Sequence, residues 1–203
     1  MDPGFLLLQL LNGLQFAMLL FLLAVGLSVV LGMMNFINLA HGTLYMVGAF
    51  AGLAAAERTG SFWAALVAGP AAAAALGAVF YVALLRRMQA AGAMKQVLVT
   101  FGLIFVGIDA VRLIWGDYAQ TLLAPSALAG SVHILGQVYP AYRLFIIALG
   151  LSLALVLYLG VERTRLGAVV RAGVDDRVMA ASLGLNVERA FFAVFCLGCA
   201  LAG

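Results

Sequence analysis

From residue 5 to residue 31 the chain runs for 27 residues without a charged side chain, and Asp2 is the only charge before the Glu57-Arg58 pair. At about 1.5 Å per residue, a helix of that length exceeds the roughly 30 Å hydrocarbon layer of a bilayer. A signal peptide would begin with a basic region and carry a shorter apolar core, so the segment reads as a retained span. Composition agrees: of 203 residues, 66% are apolar and 9% charged, against about 45–50% and about 25% in soluble domains. So few polar residues cannot cover a soluble globule. Disorder fails on the same ground, and a disulfide scaffold fails because the two cysteines, Cys196 and Cys199, share one apolar run. The expected fold is an all-α integral membrane protein, a polytopic helical bundle.

Further uncharged runs at 36–56, 62–85, 96–115 and 144–161 are each near the length of a membrane helix. With 5–31 they make five spans, and another begins at 190 but reaches only Gly203, so the chain reads as one transmembrane domain over 1–203, cut short at its C-terminal end. Lys and Arg in short loops mark the cytoplasmic side. Arg86, Arg87 and Lys95 share one loop, and Arg163, Arg165, Arg171, Arg177 and Arg189 share another, which places eight of the eleven cations on one side. The N-terminus and Arg58 are then outside, and the turn at 32–35 faces the cytoplasm. The net charge of +3 is a poor footprint for nucleic acid.

The segment 116–143 is too polar and too interrupted by Pro125, Pro140, Gly130 and Gly136 to span. Residues 131–135 and 137–139 around Gly136 predict a small external β-hairpin. Such a loop suits either a delivery partner's docking surface or a solvated connector. Gly48 with Gly52, and Gly69, Ala73 and Gly77, repeat small residues every four positions, the pattern that lets membrane helices approach closely. Asp109 and Arg112 are expected to pair with each other near the outer end of their span. Cys196 and Cys199 read as small packing residues.

At 32–42 the chain places two amides, an imidazole and two glycines at the start of an apolar span. Such groups must be satisfied internally or face water. Asn35, Asn38 and His41 or Gly42, at spacings of three and six or seven, share one helix face. Two readings stay open: a discontinuous helix that lines a substrate path, or interhelical hydrogen bonds that lock register. No metal site is expected, because His41 has no second ligand at the required spacing and His133 lies in the external segment.

The loop 162–189 holds Glu162, Arg163, Arg165, Arg171, Asp175, Asp176, Arg177, Glu188 and Arg189. One short helix is expected from 165 to 172, ended by Gly173. Asp175 or Asp176 caps a second, which runs to Leu183 and stops at Gly184. Val178, Ala181 and Leu185 fall three and then four apart, an apolar stripe that either enters a partner's groove or packs on its own bundle. The single lysine, Lys95, lies in no G-x-x-x-x-G-K-[ST] loop, so any ATP-driven motor belongs to another chain. No G-x-S-x-G or H-E-x-x-H motif is present, and neither an enzyme's catalytic set nor a cofactor site is expected.

The run NFINLAHGTLYMVGAF from Asn35 closely resembles the signature of the permeases of branched-chain amino-acid importers powered by ATP-binding cassettes, in particular the subunit type of the high-affinity leucine, isoleucine and valine system. VTFGL from Val99, the later Trp115-Gly116, and RTRLGAVVRAGVDDRVMAASLGLNVERA from Arg163 are similar to the same family in the same order, over nearly the whole chain. Members are usually nearer 290 residues. The resemblance implies a multi-pass inner-membrane permease that works with a second, homologous permease, two cytoplasmic ATP-binding subunits and a periplasmic substrate-binding protein. For a transporter, the cost of polar groups at that depth makes Asn35, Asn38, His41 and Gly42 the residues expected to shape the substrate path. Asp175, Asp176, Val178, Ala181, Gly184 and Leu185 would couple to the ATPase, with Gly184 in place of the glycine of the general E-A-A-x-x-x-G pattern. Val178, Met179 and Ala180 stand where that pattern has E-A-A, so the contact would be more apolar than ionic. Related systems carry branched-chain or other amino acids, urea or short amides, and no residue selects among them. A secondary transporter or channel, with Asp109 and Arg112 as its only intramembrane ionisable groups, and an intramembrane enzyme rank below the importer.

Overall fold

The long helices are apolar around their whole circumference, the pattern of a helix surrounded by lipid or other helices rather than by water. The computed structural model describes residues 3–34, 36–88, 92–118, 120–122, 125–134 and 137–203. The first helix, α1, covers Pro3–Met34, with a proline at the first helical position, where the missing N–H costs nothing. Then follow α2 (His41–Thr59), α3 (Phe62–Phe80), a π-helical turn (Tyr81–Leu85), α4 (Arg86–Met88) and α5 (Ala93–Trp115). After a short 3₁₀ turn come β1 (Ser131–Ile134), β2 (Gln137–Pro140), α6 (Ala141–Arg163), α7 (Arg165–Asp175), α8 (Arg177–Ser182) and α9 (Val187–Ala202). Among the described residues, four stretches are long and apolar enough to cross a membrane: Gly4–Gly32, Phe62–Met88, Ala93–Trp115 and Ala141–Arg163. The chain is a multi-pass helical membrane protein. The expected span at 36–56 is realised as α2, which starts five residues late and is not one of those four.

At the centre lies α9, packed on α1, α2, α3, α7 and α8. Its Phe195 and Cys199 join Val30, Leu44, Ala73 and Tyr81 in one buried cluster, and its Phe191 and Val194 join Val170, Ala180 and Val187 in another. Tyr81 in the π turn sets its ring 5.3 Å from Phe192 and 5.4 Å from Phe195. The small-residue repeats do what their spacing predicts. A side chain at Gly77 would overlap Cys199, one at Gly48 would overlap Gly203, and one at Gly52 would come within 3.2 Å of the Ala65 carbonyl.

The ends of the bundle differ. Arg86 of α4 pairs with Glu188 of α9, so the two cation-rich connections lie at one end. At the other end Phe62, Trp63, Tyr142 and Phe145 form an aromatic cluster with ring centres 5.8 to 6.4 Å apart, and Arg143 donates to Asn12 Oδ1 at 2.7 Å. Aromatic rings at helix ends are typical of the membrane–water boundary. The hairpin is present with antiparallel register Val132↔Tyr139 and His133↔Val138; residues 135 and 136 of the expected hairpin lie outside the described residues. Tyr139 is buried where β2 meets α1 and α6.

Two local expectations are corrected. Arg112 pairs at 3.2 Å with Asp117, beyond the end of α5, rather than with Asp109. Gly173 does not end α7, which continues to Asp175. The glycine is a packing position, since a side chain there would meet Val187 and Phe191 of α9.

Candidate functional site

The polar stretch between α1 and α2 is not helical. Residues 36–38 are irregular, 39–40 form a turn, and the helix begins only at His41. Asn38 Oδ1 accepts from the Ala40 N–H at 3.1 Å, the local side-chain turn with which asparagine competes against helix. The shared helix face expected of Asn35, Asn38 and His41 therefore does not form. Asn35 itself lies outside the described residues. Asn38 and His41 are brought together nonetheless, both buried, with the His41 N–H donating to the Asn38 carbonyl at 3.4 Å. Gly42 points the other way, into open space.

A second element completes the site. Gln96 on α5 accepts from the Ile37 N–H at 3.3 Å through Oε1, and its Nε2 donates to the Met88 carbonyl at 3.3 Å. One amide thus serves an irregular segment 59 residues away and the end of α4, pairing backbone groups that are half shut off from water. Thr100, one turn on, donates back to the Gln96 carbonyl at 2.8 Å. Thr43, on the first turn of α2, fills the space left by the missing side chain of Gly107 on α5. Asn38, His41, Thr43, Gln96 and Thr100 are the buried polar side chains of the described residues, and all lie near the starts of α2 and α5.

Both ring nitrogens of His41 lack a partner among the described residues, although the side chain is only 6% exposed. The imidazole rests against Gly26 of α1, 3.0 Å from where a side chain would begin. Such a group has unused hydrogen-bonding capacity in a dry place, which is costly unless a ligand, water or second conformation uses it. Among the described residues the cluster therefore presents amide, hydroxyl and imidazole groups, which can donate and accept hydrogen bonds. Thr43, Gln96 and Thr100 are the residues of the cluster that sequence reading missed. For the last two a signal was present, an amide and a hydroxyl four apart on one face of a largely apolar helix. An apolar cleft of about 680 Å³ lined by residues such as Leu19, Tyr45, Phe62, Leu153 and Gly203 is separate, and no residue of the polar cluster lines it.

The charged region is built by caps. Thr164 accepts from the Gly167 N–H at 3.2 Å and starts α7. Asp176 Oδ1 accepts from Val178 and Met179, both at 2.9 Å, and starts α8. Asn186 accepts from Arg189 at 3.0 Å and starts α9. Gly184, with φ of 80°, ends α8: its N–H donates to Ala181 and that of Leu185 to Ala180, the paired bonds of a left-handed helix stop. Leu185 accordingly turns inward onto the Ala180 and Val187 cluster. It does not share a stripe with Val178 and Ala181, because the helix ends before reaching it. Val178 is 78% exposed, with Met179, Ala181 and Leu183 exposed around it. Asp175 is exposed too, and Arg177 lies over the Phe191 ring at 5.5 Å.

The family model described as branched-chain amino acid transport system / permease component matches residues 9–203. The chain belongs to this family. This permease is also 26% identical over 210 residues to the high-affinity branched-chain amino acid transport system permease protein BraD of Pseudomonas aeruginosa, a match covering 96% of this chain and 67% of that protein. No solved structure matches it. The permease is thus a component of a branched-chain amino acid transport system.

Proposed function

We propose that this permease is the membrane-spanning subunit of an ATP-binding-cassette importer for branched-chain amino acids in a bacterial inner membrane. In this reading it works with a second permease, two cytoplasmic ATP-binding subunits and a periplasmic binding protein, with its N-terminus on the periplasmic side. The substrate class is supported by family membership and by the printed name of the Pseudomonas relative. The orientation is supported by the ion pair that gathers both cation-rich connections at one end, which the positive-inside rule assigns to the cytoplasm.

The observation that carries coupling is the α7–α8 knob. Caps hold it rigid, the buried Val170, Gly173 and Ala180 anchor it to α9, and Val178, Met179, Ala181 and Leu183 remain exposed on its outer side. Exposed apolar side chains on a short capped helix fit insertion into a groove of a cytoplasmic subunit. Asp175 and Asp176 flank that surface, Asp176 as the cap and Gly184 as the stop, while Leu185 fastens the knob from behind. In the same reading Asn35, Asn38 and His41 shape the translocation path, joined by Gln96 and Thr100, and Gly42 borders it.

Replacing Ala181 with Asp in the complete transporter tests the coupling role. The variant is expected to insert normally, co-purify less ATPase and lose substrate-stimulated hydrolysis, because an unpaired charge would be desolvated in the contact. Normal ATPase recovery together with normal transport would refute it. Uptake of radiolabelled leucine against urea by the intact system separates the substrate classes.

A further inference from the structure

The start of α2 has more donors than acceptors. Ala40 precedes it and offers no side-chain cap. The His41 N–H reaches the Asn38 carbonyl only at 3.4 Å, and the Thr43 and Leu44 N–H groups share the Ala40 carbonyl at 3.0 and 3.4 Å. Among the described residues the Gly42 N–H has no acceptor. Helix N–H groups point along the axis toward the N-terminal end, so this donor is aimed at the start of the helix, whatever lies beside Gly42. The 19 residues of α2 add the positive end of their dipole there, and an end of this kind favours anions.

His41 brings a side chain to the same end, because the side chains of a helix lean toward its N-terminus. Its two ring nitrogens are shut off from solvent and unpaired among the described residues. A neutral imidazole holds one donor and one acceptor, so in either tautomer a buried donor goes unused, and buried polar groups are rarely left so. The seal lies within the described bundle. Nε2 is 3.0 Å from where a side chain at Gly26 of α1 would begin, and that side chain would also overlap the Gly198 carbonyl of α9. Nothing outside α1, α2 and α9 reaches the ring nitrogens while these helices stay together. At the crossing of α1 and α9 backbone lies on backbone: a side chain at Gly198 would in turn meet the Gly26 carbonyl at 2.9 Å. A donor that costs free energy by going unused in this arrangement of the helices points to another arrangement in which it is used.

We propose that the start of α2 binds the carboxylate of the transported amino acid, received by the His41 ring and the Gly42 N–H once α1 and α9 part at Gly26 and Gly198. The assignment rests on the amino-acid importer reading above and names the group of the substrate that this part of the path holds. N–H donors at the positive end of a helix suit an anion and repel the ammonium group of the same substrate.

The test uses the complete transporter in inside-out membrane vesicles that enclose the binding protein, so that ATP and added solutes meet the cation-rich side, where Gln96 and Met88 hold the junction. Diethyl pyrocarbonate acylates uncharged imidazole nitrogens that it can reach, and peptide masses separate His41 from the exposed His133. In the resting transporter His41 should react about tenfold or more slowly than His133, as a group open only by local rearrangement does. ATP hydrolysis should speed its reaction, and saturating leucine should slow it again, while leucinol, with a hydroxymethyl group in place of the carboxylate, should not. His41→Leu should leave assembly and melting temperature unchanged, because no bond is lost, yet cut leucine uptake by intact cells about tenfold or more. His41→Gln, which keeps an N–H donor, should recover part of that uptake. Reaction of His41 as fast as His133 at rest, no gain on ATP hydrolysis, equal protection by leucinol, full uptake by His41→Leu, or a lowered melting temperature in that variant would each overturn the site. Absence of ATP-dependent leucine uptake by the unaltered transporter would overturn the importer reading itself, and this assignment with it. The acylation experiment leaves His41 in place and so stands even where the leucine variant fails to insert.

Discussion

Residues 36–41 and residues 164–187 both place polar side chains at helix starts, and they fold by different means. In the second stretch each polar group acts on a neighbour: Thr164, Asp176 and Asn186 satisfy amides two or three residues ahead, and Gly184 stops a helix with its own backbone. In the first, Asn38 closes only one local turn, and the Ile37 amide depends on Gln96, 59 residues away. Local capping makes a knob that holds its shape from short-range bonds. A distant partner makes a junction whose shape depends on α5 staying beside α2. In the function proposed above, the first kind of fold belongs to the docking element and the second to the polar junction.

The largest effect expected to break this contrast comes from Gly173→Leu. The added side chain would collide with Val187 and Phe191, costing about 3 kcal/mol by overpacking and freeing α7 from α9. Limited trypsin digestion should then cut faster at Arg171 and Arg177 while exchange at Ile37 is unchanged. Equal loosening at both places would mean the knob and the junction fold as one unit.

Gln96→Leu attacks the other side of the comparison. It leaves the half-buried Ile37 N–H without its acceptor, a loss of about 1 kcal/mol. Hydrogen exchange should rise at Ile37 and stay constant at Val178. Asp176→Ala removes a cap that two amides share and should cost about 1 kcal/mol. Here exchange rises at Val178 and Met179 alone, and Asp176→Asn restores protection. Unchanged exchange in the alanine variant would show that packing of Ala180, not the cap, holds α8.

The smallest effect sharpens the junction. Gly42 meets nothing where a side chain would begin, so Gly42→Ala should stabilise α2 by about 0.5 kcal/mol through helix propensity. A higher melting temperature with reduced uptake would show that the open side of Gly42 faces the path. Higher stability with unchanged uptake would remove Gly42 from it.

Much of the fold was legible because its causes are local. Charge-free runs of membrane length, cations gathered in two connections, an Asp before a short helix and a Gly after it all state their consequences within a few residues. The helix stop at Gly184 was readable, but the direction of Leu185 was not, because the stop itself turns that side chain toward Ala180. Gly173 resembled a helix end by residue type and served instead as a contact point for α9, which lies beyond it in sequence.

By itself the sequence determined that the chain crosses a membrane, which connections carry the cations, and that an Asp starts the second short helix of the knob and Gly184 ends it. These follow from solvent transfer and from bonds to near neighbours, which no fold can reverse cheaply. Tertiary structure alone decided that α2 starts at His41, that Gln96 serves the Ile37 amide, that His41 is buried against Gly26 with both nitrogens unpaired among the described residues, and that Arg112 pairs with Asp117. Each depends on which helix lies beside which, and pairings between residues far apart leave no period or spacing in the sequence from which to read them.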